Sequence, residues 1–189
     1  MPNNAELFLA HLDELTGGRE PEIQKIESTH DGLRSVFVFA YPDWPQPGVI
    51  TGFTFGLSEA NHPDWKLGRP ELMISVESSD RAWTYAIGYM AEQLRGDCPF
   101  CYGLTINFRA EISDESKLDA FLIFGPPHLD ATQKSIELNG FTCHIAGMWP
   151  MYSSEFDIYN ELGLEQFWHH DEWYPMNVTR SPISSAAGG

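Results

Sequence analysis

Two cysteines, Cys98 and Cys101, are separated by two residues, which is the spacing of a redox motif and of half a zinc site. Cys143 and His144 could complete four metal ligands, but adjacent residues on a strand point to opposite faces, so both rarely reach one ion. In a thioredoxin-like motif the cysteines begin a helix that follows a strand. Here the predicted helix precedes the pair and a strand follows it. We therefore expect free thiols, no metal and no cofactor.

A second group with potential chemistry is the run His169-His170-Asp171-Glu172, because these side chains serve as metal ligands or acid-base groups elsewhere. Consecutive residues of a helix point about 100° apart, so neighbours do not converge on one atom. The sequence has no P-loop, no Gly-x-Ser-x-Gly, no His-Glu-x-x-His and no dinucleotide motif. We expect a protein that is not an enzyme. The alternative is a hydrolase or metal-dependent enzyme that uses this histidine-rich segment.

A third group lies where a strand leads into a helix, and it combines two aromatic residues with two carboxylates: Trp149, Tyr152, Glu155 and Asp157. Rigid aromatic side chains with an acidic rim are typical of a protein–protein anchor. Structural roles are also open to them, since Trp149 and Tyr152 could pack in the core. Glu155 in the first turn of a helix would be favoured by the helix dipole. The sequence indicates these four residues as a partner-binding site and leaves the structural alternative open.

Hydrophobic periodicity predicts the helices that position these groups. A first helix is indicated by the apolar spacing of residues 7–15 and ends at Gly17-Gly18. A second helix lies between Asp80 and Gly96. Its apolar stripe is formed by Trp83, Ile87, Met90 and Leu94. Two more helical segments are predicted at residues 154–162 and 164–171.

Strands are predicted from β-branched and aromatic residues bounded by Pro, Gly and Asn. The segments are 33–40, 50–57, 72–76, 104–108 and 118–124, followed by a hairpin of 136–138 and 141–145 around Asn139-Gly140. Residues 50–57 alternate aromatic residues with Thr or Gly, which predicts a half-buried strand. Regular strand–helix alternation is absent, so a doubly wound fold is excluded. The order argues for an α+β fold, a mostly antiparallel or mixed β-sheet flanked by helices.

The length and the composition fit one globular domain. The chain has 189 residues, of which 42% are hydrophobic, and this is enough to bury a substantial core. We assign residues 1–175 to the domain. Residues 176–189 end in small and polar side chains, so we expect a flexible C-terminal tail there.

The charge of the chain is strongly negative. Asp and Glu number 27 against 11 Lys and Arg, which gives a formal net charge of −16. Such a charge repels phosphate backbones and anionic lipid headgroups, so we expect neither nucleic acid nor a membrane as a partner. It favours solubility and also attraction to a basic protein. No apolar run approaches the length of a membrane span, and the first residues do not form a secretory signal, so we expect a cytoplasmic protein.

Several phrases, taken in order, resemble the suppressor of fused domain. They are Gly-Leu-Ser within residues 51–61, Glu-Leu within residues 69–76, a strand that ends at Pro126-Pro127, and the pattern Pro-x-Tyr-x-x-Glu at residues 150–155 before a helix. The same phrases occur in this order in that family, and the resemblance covers residues 6–170. It implies a partner-binding protein and not an enzyme.

The resemblance also suggests the kind of partner. Stand-alone copies of the domain are typical of bacteria, where the family is proposed to supply immunity proteins that neutralise secreted toxins. Many toxin domains are basic nucleases, which suits an acidic binder, so we expect a bacterial immunity protein that binds a basic toxin directly. The animal protein has a second domain and carries an acidic ligand-binding residue after a Phe-Cys-x-Gly phrase. Here residues 100–103 form that phrase and Leu104 follows, so the family's acidic ligand-binding residue has no counterpart at this position.

Overall fold

The computed structural model describes residues 1–184. The helices are α1 (Asn4–Thr16), α2 (Ala82–Leu94) and α3 (Phe156–Trp168). The strands are β1 (Glu22–Ile26), β2 (Val36–Pro42), β3 (Ile50–Phe55), β4 (Arg69–Val76), β5 (Thr105–Asn107), β6 (Ala120–Phe124), β7 (Ser135–Leu138) and β8 (Phe141–Met151). Short 3-10 turns lie at Leu57–Glu59 and Ser153–Glu155. No helix in the described part of the chain is long and apolar enough to cross a membrane.

All eight strands form one sheet in the order β1-β2-β3-β4-β8-β6-β5, and β7 pairs with β8 beside this path. Strands β4 and β8 run parallel, with Arg69 opposite Cys143, whereas the other neighbours are antiparallel. The first part of the long β8 pairs with β7 through the predicted Asn139-Gly140 hairpin, and its second part pairs with β6. The predicted α+β fold with a mixed, mostly antiparallel sheet is confirmed.

Helix α2 covers one face of the sheet, and α1 and α3 cover the other. The predicted stripe of α2 is confirmed, because Trp83 and Ile87 are fully buried and Met90 nearly so. Helix α1 buries Phe8 and Leu12. It begins with a capping box, in which the Asn3 side chain accepts from the Glu6 N–H and the Glu6 side chain accepts from the Asn3 N–H. It ends at Gly17, whose φ of 70° is easily reached by glycine.

The structure differs from the sequence-based expectation at three places. Strand β1 was not predicted, because its sequence Glu-Ile-Gln-Lys-Ile carries only two apolar residues. Strand β3 was predicted to be half-buried, but every residue of it is buried since helices cover both sides of the sheet. The second hairpin strand was predicted to end at residue 145, yet β8 continues through residues 148–151. Gly147 is the last β8 residue paired with β4, so beyond it β8 is paired with β6 alone. Proline has no N–H to donate, and Pro150 is tolerated because one side of the strand is unpaired at that point.

The predicted flexible tail is wrong over residues 176–184, because this segment packs on the domain. Val178, Arg180 and Ile183 are buried, and the Ile183 N–H donates to the Glu155 carboxylate at 2.8 Å. The apolar residues Val178 and Ile183 follow no periodic pattern in the sequence, which therefore could not show that this segment would pack on a buried acid. Residues 185–189 lie outside the described residues.

Candidate protein-binding surface

The strand order ends at two edges, β1 and β5; the short β7, which carries Glu137, pairs with β8 alone and lies beside this order. Strand β5 pairs with β6 on one side, with the Phe108 N–H donating to the Asp119 carbonyl at 2.8 Å. Successive residues of a strand direct their backbone groups to alternate sides, so the N–H and C=O groups of Thr105 and Asn107 face away from β6. They meet no further strand in the described part of the chain. This edge is therefore open to another strand.

The two edges differ in charge. Strand β1 carries Lys25, whose ammonium lies 2.7 Å from the Glu27 carboxylate, and Glu22, which pairs with Arg81. Charged side chains on an edge disfavour the addition of a strand. Strand β5 consists of Thr, Ile and Asn and carries no charge. Of the two, the β5 edge is the one suited to bind an extended segment.

Exposed aromatic rings lie beside the β5 edge. Tyr85 and Tyr89 are one helical turn apart on the outer side of α2 and are 49% and 40% exposed. The Tyr89 ring packs edge-on against Phe108 with 6.0 Å between centroids, and Phe108 packs on the buried Phe121. Between α2 and β5 runs a groove of about 500 Å³. We call Tyr85, Tyr89, residues 104–107 and Phe108 the β5 surface.

An acidic loop borders the β5 surface at the start of α2. The Trp83 indole N–H donates to the Glu115 carboxylate at 2.9 Å, and the Ser78 hydroxyl donates to the same group. The Ser113 hydroxyl donates to Asp80. These bonds hold the loop against α2 and place the carboxylates of Asp80 and Glu115 close together. The surface thus combines an open strand edge, aromatic rings and negative charge.

The four residues predicted to bind a partner do not form one surface. Trp149 is only 6% exposed, since its indole N–H donates to the Gly125 carbonyl at 3.0 Å and its ring packs on Trp168. Glu155 is 1% exposed and forms an ion pair with Arg180 at 2.6 Å. The prediction is corrected for these two residues, which are unavailable to a docked partner.

Tyr152 and Asp157 remain as predictions of a partner contact. Tyr152 is half-buried, its hydroxyl donates to the Arg180 carbonyl at 2.6 Å, and burial raises its pKa. Asp157 is exposed on α3. The β5 surface was not predicted from the sequence, although Tyr85 and Tyr89 at positions i and i+4 opposite the apolar stripe were a signal for it.

The histidine-rich segment and the cysteines are separate features. The Glu172 N–H donates to His170 Nδ1 at 3.2 Å, and the Glu172 carboxylate accepts from Ser184. Burial raises the pKa of the Cys98 and Cys143 thiols. Within residues 1–184, no group of three or more His, Cys, Asp or Glu side chains could hold a metal ion. This arrangement adds no support to the hydrolase or metalloenzyme alternative.

A family model described as suppressor of fused protein matches residues 29–181. The chain belongs to the suppressor of fused family. No curated protein sequence matches it. Its fold is similar to a putative suppressor of fused homolog from Neisseria gonorrhoeae FA 1090, with 16% identity, a TM-score of 0.72, and coverage of 97% of this chain and 98% of that one.

Two further solved structures share the fold. Drosophila Suppressor of Fused matches with 16% identity and a TM-score of 0.65 over 95% of this chain, and the match spans 51% of that protein. A structure of the Sufu–Fu complex matches with 17% identity and a TM-score of 0.64, over 95% of this chain and 91% of that one. A protein of this fold is therefore found in a complex with another protein.

Two phrases that carry the family resemblance meet at one buried carboxylate. Glu71 of β4 is fully buried, and it accepts from the Gly56 N–H at 2.8 Å and from the Ser58 hydroxyl at 2.7 Å. The Thr54 hydroxyl donates to its other oxygen at 2.7 Å. Burial raises the pKa of this carboxyl group. In this suppressor of fused chain, the Gly-Leu-Ser turn is thus tied to the Glu-Leu strand.

Proposed function

We propose that this chain is a protein-binding domain that acts as an immunity protein and neutralises a basic toxin domain by direct contact. The observation that carries the proposal is the open, uncharged edge of β5 beside exposed tyrosines and an acidic loop. Extended segments commonly bind by adding a strand to such an edge, because main-chain hydrogen bonds give affinity without a special sequence. The Sufu–Fu complex supports the general part of this proposal, that a domain of this fold binds another protein.

Electrostatics supports the choice of a basic partner. With a net charge of −16, the chain attracts a cationic protein over a long range and repels nucleic acid that a toxin nuclease would bind. At short range, Tyr85 and Tyr89 supply rigid amphipathic contacts of the kind that dominate binding energy in interfaces. A bound domain whose active cleft is occupied by this surface would lose access to its substrate.

The experiment measures the toxicity of a basic toxin domain encoded beside this gene, with and without this chain, together with the affinity of the purified pair. Asn107→Pro removes an outward N–H that an added strand would use, and Asn107→Ala keeps it. We expect Asn107→Pro to weaken binding at least about tenfold and Asn107→Ala to change it little. Thr105→Pro removes the other outward N–H and should weaken binding in the same way. The melting temperature of each variant separates a lost contact from a lost fold. Equal affinity of all three variants would exclude strand addition at β5.

A further inference from the structure

A second surface lies at the opposite edge of the sheet, on the face that carries α1. It is a groove of about 270 Å³ between α1 and the strands β1 and β2. We call it the β1 groove. Its apolar lining consists of Ala5, Leu9, Ile23, Phe37, Phe39 and Phe55.

The groove exists because α1 does not cover the whole of this face. Phe8 of α1 lies over Phe39 and Phe55, with ring centroids 6.5 and 5.1 Å away, and the helix packs against β7 further across the sheet. Strand β1 extends the sheet beyond the helix. Ile23 lies opposite Phe39 in the strand register and is 62% exposed, although it is an aliphatic residue in a strand.

The uncovered strip is formed by Ile23 of β1 with the half-buried Phe37, Leu9 and Ala5, because Phe39 and Phe55 are buried beneath Phe8. A helix with its side chains has a diameter of about 10–12 Å, so a helix lying beside α1 would cover β1 and reach Phe37. An apolar sheet face in an α+β domain is normally covered by a helix that buries its own apolar stripe. The complementary occupant is therefore an amphipathic helix, lying beside α1 with its apolar side on Ile23, Phe37 and Leu9.

The charges around the groove indicate the polar side of that helix. Glu59 lines the groove, exposed Glu6 follows Ala5 on α1, and exposed Asp13 lies one turn beyond Leu9. Arg34 also lines the groove, and the nearby Lys25 ammonium is 2.7 Å from the Glu27 carboxylate. Carboxylates therefore outnumber bases around the rim. We propose that the β1 groove binds an amphipathic helix of a partner protein that carries Lys or Arg beside its apolar stripe.

This surface is independent of the proposed toxin contact, because β1 and β5 are at opposite ends of the sheet. A partner held at the β1 groove leaves the β5 edge free. The chain could then hold two protein segments at once, an extended one at β5 and a helical one at β1.

The test uses the full chain and a synthetic helical peptide of about 18 residues with leucines at i, i+3, i+4 and i+7 and lysines elsewhere. A second peptide has glutamate in place of every lysine. Affinity is measured by fluorescence anisotropy, and the contact is located by amide chemical shifts in NMR spectra. Ile23→Asp is compared with Leu67→Asp, because Leu67 is 91% exposed and does not line the groove.

We expect the lysine peptide to shift the amides of Leu9, Ile23 and Phe37, and Ile23→Asp to weaken it at least about tenfold. The new carboxylate would by itself attract the lysine peptide, so weaker binding would have to come from the lost apolar contact at Ile23. Leu67→Asp should leave binding unchanged, and the glutamate peptide should bind at least about tenfold more weakly. The proposal is overturned by no binding of the lysine peptide, by equal binding to Ile23→Asp and the unaltered chain, or by shifts confined to the β5 surface.

Discussion

Arg180 and Glu155, 25 positions apart in the chain, form a bidentate ion pair with distances of 2.6 Å from Nη1 to Oε1 and 2.7 Å from Nη2 to Oε2. Both side chains are buried, and the guanidinium lies 4.7 Å from the centre of the Trp173 ring. A buried pair offsets its desolvation only with good geometry and further hydrogen bonds, and both are present here. The pair joins the C-terminal segment to the start of α3.

Replacing Arg180 with Met should lower the free energy of unfolding by about 3–5 kcal/mol, because it leaves the Glu155 carboxylate buried without a counter-ion. The double variant Glu155→Met/Arg180→Met should lose less than Arg180→Met alone, since no uncompensated charge remains. Urea unfolding measures both. Arg19→Met, at an exposed arginine, is the control and should stay within about 0.5 kcal/mol of the unaltered chain. Equal effects of Arg180→Met and Arg19→Met would contradict the ion pair.

This ion pair shows where sequence-based prediction ends. The stripe of α2 was predicted because its signal is local: Trp83, Ile87 and Met90 recur at helical spacing within one segment. The Asn139-Gly140 hairpin is local in the same way. The partner of Glu155 lies far along the chain, in a segment whose composition resembles a disordered tail. No periodicity joins the two positions, so the burial of Glu155 could not be predicted.

The candidate binding site was difficult to predict from the sequence for the same reason. Aromatic residues beside carboxylates were recognised around Trp149, but the local sequence does not distinguish a tryptophan in the core from one in an interface. The proposed contact at the β5 edge uses backbone groups, and a three-residue strand of Thr, Ile and Asn gives almost no pattern. Only the order of strands in the sheet shows that β5 ends it.

Gly147 should not tolerate a side chain, because it lies where β8 passes from its partner β4 to the stretch paired with β6 alone. A Cβ there would be 2.6 Å from the Gly125 carbonyl oxygen and 2.8 Å from the Trp149 indole nitrogen. Gly147→Ala should therefore lower the free energy of unfolding by about 1–3 kcal/mol. Gly125→Ala is the matched control, since a Cβ at that position meets nothing within 4 Å. A smaller loss for Gly147→Ala than for Gly125→Ala would show that this close approach is absent.

Tyr41 should make the fold sensitive to alkaline pH. Its hydroxyl is buried without a hydrogen-bond partner in the described structure, and burial with nearby Asp13 raises its pKa from 10.0 to about 12. Below pH 10 the phenol is protonated in both states, so its contribution is constant. Above pH 10 the unfolded chain releases the proton first, so stability falls by up to about 1.4 kcal/mol per pH unit until the folded form also titrates.

Tyr41→Phe removes this titration and the buried hydroxyl, so it should be neutral or stabilising at pH 7. From pH 10 to 12 it should lose less stability than the unaltered chain in urea unfolding. Tyr174→Phe is the control, because Tyr174 is 60% exposed. Parallel losses in the unaltered chain and Tyr41→Phe across this pH range would rule out a raised pKa at Tyr41.

Association with a basic toxin domain should be fast at low salt and should slow as salt increases. The net charge of −16 attracts a cationic partner over a long range, and physiological ionic strength shortens the Debye length to about 8 Å. The association rate should therefore fall steeply with salt while the dissociation rate changes little. Stopped-flow and surface plasmon resonance measure the two rates.

Two variants divide these effects between the exposed carboxylates near the start of α2 and the tyrosines. The double variant Glu77→Gln/Asp114→Asn removes two exposed carboxylates near the start of α2, so it should slow association and weaken its salt dependence. Tyr89→Ala removes an aromatic contact that forms only after docking, so it should speed dissociation and leave the salt dependence unchanged. An association rate indifferent to salt would remove the electrostatic part of the proposal. Unchanged dissociation from Tyr89→Ala would place the contact away from the β5 surface, because Tyr89 is the exposed ring packed on Phe108 at that edge.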